Sequence, residues 1–270
     1  MYKLAVFDLD GTLLNSKHTV SKENLEAISL LRENNIKVVI ATGRANELLK
    51  PYVKSLNITE DIITCNGTVI GHPHKDKMFY EDIVPKDQVR KVLEMCLEYG
   101  HHFLIYTSKA IVSRKNDWER FLIEKDISLE NDFKVNIIIT EDIDDIVDNY
   151  NANKVLIRER NQEKYIQLIE RIKDFDKISY TQSSSTHLDI GPLNNSKGNA
   201  VKILCNKFGY NLEEVIAFGD QMNDISMISI VGLGVAMGNA TEEVKKSADF
   251  VTLTNDENGV AYAIKTKILN

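Results

Sequence analysis

Short apolar runs recur along this chain, and those nearest its two ends stop at polar turns. Lys3-Leu4-Ala5-Val6-Phe7 is halted by Asp8-Leu9-Asp10-Gly11, which predicts a buried strand ending in a tight loop. Helical spacing follows: Ala27, Ile28 and Leu31 share one face, Leu25 and Leu30 flank it, Ser21 is a suitable N-cap, and Asn34-Asn35 ends the run. Ile36 to Ala41 reads as a second buried strand, stopped by Thr42-Gly43-Arg44. Strand, helix, strand within this length is a βαβ unit, so its two strands should be parallel.

The pattern then changes. Ile62 to Cys65, Asn66-Gly67 and Thr68 to Ile70 predict a strand and hairpin, and a second turn spans Gly71 to Asp76 before Met78-Phe79-Tyr80. His72 and His74 lack a third ligand nearby and read as a solvated hairpin tip. Between about Ile83 and His187, helical patterns (Gln88 to Glu98, Gln162 to Ile172) alternate with strand-like runs at 102–107, 110–113, 135–139 and 154–158. Pro85 and the polar run 183–186 flank this stretch. After Leu188-Asp189-Ile190 the first style returns. A helix is expected over Lys197 to Phe208, strands over 215–218, 234–237 and 250–253, a short helix holding Ile225, Met227 and Ile228, and another over 242–247. The fold expected is α/β: a Rossmann-like parallel-sheet core from residues 1–82 and 189–270, with an inserted α/β cap domain over 83–188.

Composition narrows the function. The chain has 270 residues, 43% hydrophobic and 27% charged, which is ordinary for a globular protein. A net charge of −7 disfavours nucleic acid and anionic membrane surfaces as partners. Cys65, Cys96 and Cys205 are scattered and odd in number, so neither a disulfide framework nor a thiolate zinc site is expected. With no signal-peptide h-region and no bilayer-length apolar run, the expectation is a soluble cytoplasmic protein, monomeric or weakly homo-oligomeric.

Candidate chemistry collects at strand ends, where open parallel sheets bind ligands. Asp8 and Asp10 follow the first strand, Thr42-Gly43-Arg44 the second, and Asp220, Asn223 and Asp224 a later one. Singly, each Asp reads as a cap or turn residue; together, four carboxylates need a neutralising cation, and hard oxygen ligands favour Mg²⁺ over zinc. Such a site suits phosphoryl transfer, where positioning and charge stabilisation dominate. One carboxylate can be the nucleophile, and an acid two residues on can serve as general acid and then base. The Thr42 hydroxyl, the Gly43 N–H and neighbouring loop amides such as that of Leu9 can hold phosphate, and Lys197 offers a positive charge to the same group.

In these residues the chain resembles the haloacid-dehalogenase (HAD) superfamily of aspartate-nucleophile phosphatases. Its four motifs occur in order: DLDGTLL at 8–14, ATGR at 41–44, Lys197 within SKGNAV, and AFGDQMND at 217–224. The insert resembles the α/β cap of the Cof-type subgroup. The resemblance implies Asp8 as nucleophile and metal ligand, and Asp10 as general acid/base with its carbonyl also on the metal. Thr42 and Gly43 would bind phosphate, Lys197 would neutralise the nucleophile, Asp220 would ligate Mg²⁺, Asn223 would contact phosphate and Asp224 would support the metal shell. It also gives Asn66-Gly67 a minor place near the cleft, and Asp189 stands where relatives commonly carry Glu. Asp10 sets the chain apart from dehalogenases and transport ATPases of the superfamily, which lack an Asp there, and favours a phosphatase acting on a small phosphorylated metabolite such as a sugar phosphate. A phosphomutase or other phosphotransferase would use the same residues. In the insert, Tyr106, Trp118 and Arg114 could line a pocket, though core packing for the aromatics and a solvated face for Arg114 are the simpler expectations.

Overall fold

The computed structural model describes residues 1–73, 78–125 and 135–269. The strands are β1 Leu4–Phe7, β2 Lys37–Ile40, β3 Ile62–Thr64, β4 Val69–Gly71, β5 Met78–Glu81, β6 His102–Tyr106, β7 Ile111–Ser113, β8 Ile137–Ile139, β9 Lys154–Arg158, β10 Ile178–Ser184, β11 His187–Pro192, β12 Val215–Gly219, β13 Leu233–Ala236 and β14 Phe250–Val251. Contacts divide the chain into two compact units: 1–43, 52–79 and 196–270 form the first, and 44–51 with 80–195 the second.

The first unit is built on a five-stranded sheet, β14-β13-β12-β1-β2, with every pair parallel. Leu4, Ala5, Val6 and Phe7 are all buried, as a strand covered on both faces requires. The connection to β2 is the helix Lys22–Glu33, which Ser21 caps by accepting the Asn24 N–H at 3.2 Å; Ala27, Ile28 and Leu31 are its buried face. The chain leaves β1 toward β2 on one side, while β12, β13 and β14 extend the sheet on the other. The order therefore reverses between β1 and β12, the place where such sheets open a crevice at their carboxyl ends. In register, Phe7 lies opposite Phe218, and their rings stack at 4.7 Å. β3 and β4 pair antiparallel through Cys65–Gly67. His72 Nε2 is 3.0 Å from the Thr59 carbonyl, while His74 and the rest of the turn expected over Gly71 to Asp76, from position 74 on, lie outside the described residues.

The second unit carries a six-stranded sheet, β10-β11-β9-β6-β7-β8, antiparallel except for the β7–β8 pair. Val89, Val92 and Leu93 from the helix Lys86–Tyr99 and Leu168 from Gln162–Ile172 pack with Phe103, Ile105, Val155 and Ile157 of the sheet. Strand alternation sends those residues to one face. The division expected at 188/189 falls inside β11, which pairs with both β9 and β10, so this unit runs on to Asn195. Trp118 and Phe121 stack at 5.4 Å, and Tyr106 is buried. Arg114 is not on a solvated face: its Nε donates to Asp117 at 2.8 Å, and its guanidinium lies 4.9 Å from the Phe103 ring centre. Among the described residues, no helix is long and apolar enough to cross a membrane.

Candidate active site

Parallel pairing of β1 and β12 delivers their polar ends to the same edge of the sheet. The Asp8 N–H donates to the Phe218 carbonyl at 2.9 Å, which fixes the first residue after β1 beside the end of β12. Asp8, Asp220 and Asp224 then converge: each offers a carboxylate oxygen, all within 4.8 Å of one another, and all three residues are buried. Lys197 opens the helix Lys197–Phe208, with Ser196 as N-cap, and its side chain is 0% exposed. Its Nζ donates to Asp8 Oδ1 at 2.5 Å and to Asp224 Oδ1 at 2.6 Å. Four of the residues singled out in the sequence, 216 positions apart at the extremes, thus form one buried cluster.

The two ends of that cluster are held differently. Asp224 Oδ2 accepts the backbone N–H groups of Asp220 at 2.9 Å and Gln221 at 3.0 Å. With Lys197 on its other oxygen, Asp224 is occupied chiefly in shaping the loop. Asp220 accepts from the Thr12 hydroxyl at 3.0 Å and from Gln221 Nε2 at 3.1 Å. The sequence assigns no role to Thr12 or Gln221; the side-by-side placement of the β1 and β12 loops brings Thr12 to Asp220, and Gln221 reaches it as its neighbour in the chain. Gly11, at φ +81°, is required twice over. Its backbone lies in the left-handed region, and a Cβ there would come within 2.4 Å of Asp220 Oδ2.

Charge is out of balance here: three carboxylates face one ammonium. Burial pushes Asp8 well above the ordinary carboxylate range; Lys197 pulls it back, and Asp224 and Asp220 push it further up. Burial, and then Asp224, lift Asp220 to about 7 against the hydrogen bonds from Thr12 and Gln221. For Lys197, burial acts to lower its pKa, but the Asp224 and Asp8 carboxylates outweigh it and keep the ammonium protonated. A buried oxygen cluster that strains toward protonation is short of positive charge, and its donor set fits a hard divalent cation.

The remaining sequence candidates lie on the same loops. Asp10 is half-buried two residues beyond Asp8 and is not one of the three clustered carboxylates. Leu9 is buried, and its carbonyl accepts the Leu14 N–H at 2.9 Å. Thr42 is buried, and its N–H donates to the Ile63 carbonyl at 2.9 Å. Gly43 lies against Asn66, and Asn223 Nδ2 donates to Asn66 Oδ1 at 3.0 Å. In the second unit, Asp189 forms a buried ion pair with Lys154 at 3.0 Å, and Lys154 Nζ lies 4.6 Å from the Tyr106 ring centre.

Comparison with known proteins identifies the family. Residues 5–264 match the haloacid dehalogenase-like hydrolase family. The chain is similar to phosphatase YwpJ of Bacillus subtilis, at 33% identity over 97% of this chain and 99% of that one. It is also similar to the 5-amino-6-(5-phospho-D-ribitylamino)uracil phosphatase YcsE of the same organism, at 31% identity over 99% and 96% of the two chains. A solved haloacid dehalogenase-like hydrolase from B. subtilis superposes with a TM-score of 0.87 at 30% identity, covering 98% of this chain and all of the other.

Proposed function

This chain belongs to the haloacid dehalogenase-like hydrolases, a family whose similar members are phosphatases, and on that premise we propose that it is a magnesium-dependent phosphatase working through an aspartyl-phosphate on Asp8. The observation that carries the proposal is the buried triad of Asp8, Asp220 and Asp224 with Lys197 bonded to Asp8. Lys197 opposes the burial that favours a neutral Asp8, and with the cation bound beside it the carboxylate would be charged, so that one of its oxygens can attack phosphorus. As the new O–P bond forms, the bond to the leaving alcohol breaks, and Asp10 supplies the proton that alcohol needs. Asp10 then takes a proton from water, which attacks the same phosphorus. Orthophosphate departs and the Asp8 carboxylate is restored. Thr42, Gly43, Asn223, Lys197 and the loop amide of Leu9 hold the phosphoryl oxygens. Asp8, Asp220 and the Asp10 carbonyl would hold Mg²⁺, with Asp224 supporting them; the ion supplies charge neutralisation of the transferring group.

The substrate we propose is a small phosphorylated sugar or polyol monoester. The named substrate of YcsE, a phosphorylated ribityl compound, supports that class. The three free, buried cysteines suit a reducing cytoplasm. The test is phosphate release from p-nitrophenyl phosphate and a panel of sugar and polyol phosphates, with Mg²⁺ and with chelator. Release that needs Mg²⁺ and vanishes in Asp8→Asn supports the reading. Release that persists in Asp8→Asn refutes the covalent route, and a phosphoenzyme that passes its group only to a sugar phosphate would make the protein a phosphotransferase.

A further inference from the structure

The connection between β3 and β4 holds a backbone conformation that the reaction scheme leaves unused. Cys65 and Asn66 both occupy the left-handed region, at φ 51° and 58°, and Gly67 follows at 109°. Asparagine tolerates that region; a cysteine Cβ meets steric resistance there, and two such residues in succession persist only where their surroundings hold them. Here the holding contacts are specific. The Asn66 N–H donates to the Thr42 carbonyl at 3.0 Å, and the Cys65 carbonyl accepts the Thr68 hydroxyl at 3.2 Å.

The product of this strained loop is the placement of one side chain. Asn66 is 4% exposed, and its Oδ1 accepts from Asn223 Nδ2 across 157 residues of sequence. The same oxygen would stand 2.9 Å from a Cβ built on Gly43. Asn66 therefore touches two groups assigned above to the phosphoryl oxygens, and its backbone bonds to a third, Thr42. Among the described residues the Asn223 amide has no other anchor: its Oδ1 is buried without a hydrogen-bond partner there. An Asn χ2 is broad, so an amide without a partner would rotate. With one amide hydrogen on Asn66, the direction of the second is set.

We propose that Asn66 is a positioning residue for the phosphate site, aligning the Asn223 amide with the Thr42-Gly43 loop so that both meet the same phosphoryl group. The proposal rests on the reading of Thr42, Gly43 and Asn223 as phosphate ligands. Asn66→Gly is the informative variant, because glycine adopts this backbone without strain while the carboxamide is lost. In the full-length protein with Mg²⁺, the KM for p-nitrophenyl phosphate and the Ki of orthophosphate should rise together by about tenfold, the scale of one hydrogen bond, with little change in Tm. Asn223→Ala should have a similar effect, and the double variant should add nothing further. A merely structural role would lower Tm and leave KM and Ki in place; that result overturns the proposal, as does a double variant whose losses multiply. If Thr42→Ala and Asn223→Ala both leave KM and Ki unchanged, the phosphate-site reading itself fails, and the proposal falls with it.

Discussion

The acidic cluster should make the metal-free protein less stable as pH rises. Asp220 has an ordinary pKa of 3.8 and is lifted to about 7 in the folded chain. Well below pH 3.8 the carboxyl is protonated in both states and contributes nothing. Between these values the unfolded chain has released its proton while the folded chain still holds it, so folding becomes less favourable as pH climbs. The slope approaches about 1.4 kcal/mol per pH unit for one such group, or roughly 2 kcal/mol between pH 5 and pH 7. Asp8, raised for the same reason, adds to the loss in the same direction. Mg²⁺ competes with those protons, so its stabilising effect should be larger at pH 7 than at pH 5. The readout must report the first unit. The lone tryptophan, Trp118, belongs to the second. Hydrogen exchange of peptides from β1 and β12, followed through a denaturant series in chelator at several pH values, meets that need. Asp220→Asn should flatten the slope. A wild-type stability that is level or rising from pH 5 to pH 7, or an Asp220→Asn variant with the same slope, would refute the reasoning.

Lys197→Met should destabilise the first unit by about 3–5 kcal/mol at pH 7, because it leaves buried carboxylates without their ammonium. The loss should shrink at pH 5 as those carboxylates take up protons, a difference that thermal melts at the two pH values would read. Thr12→Val removes the hydroxyl on Asp220 and should cost about 1–2 kcal/mol, push the Asp220 carboxyl further up, and weaken Mg²⁺ binding measured by calorimetry.

The reactive residues were legible because each ends a strand whose apolar run is plain in the sequence, and parallel pairing brings strand ends together. Asp8 and Asp220 needed no more than that, whereas Lys197 opens a helix and was marked by the Ser196 cap before it and the apolar helical run after it. Thr12 and Gln221 are not legible because a polar residue in a loop has many possible partners: the juxtaposition of two loops selects Asp220 for Thr12, and the local turn of one loop folds the Gln221 amide back onto its neighbour. Asn66 was visible as half of a turn pair, but its contact with Asn223 depends on two consecutive left-handed residues, one of them a cysteine that no propensity would place there. The end of the second unit was obscured for a different reason. Leu188-Asp189-Ile190 reads like the start of a core strand, whereas its pairing with β9 and β10 and the Asp189–Lys154 pair assign it to the sheet of the insert. Arg114 was misread because the carboxylate that holds it, Asp117, lies one helical turn on in a segment of weak periodicity.

The claim at the centre of this account is the bond between Asp8 and phosphorus. Asp10→Asn, which retains the nucleophile but hampers its release, should be mixed with Mg²⁺ and p-nitrophenyl phosphate, quenched in acid and mapped by peptide mass spectrometry. The account predicts one added phosphoryl group on the peptide spanning β1, localised to Asp8 and absent when Asp8 is replaced by Asn. Turnover with Asp8 never modified, or a phosphoryl group found on another residue, would contradict it.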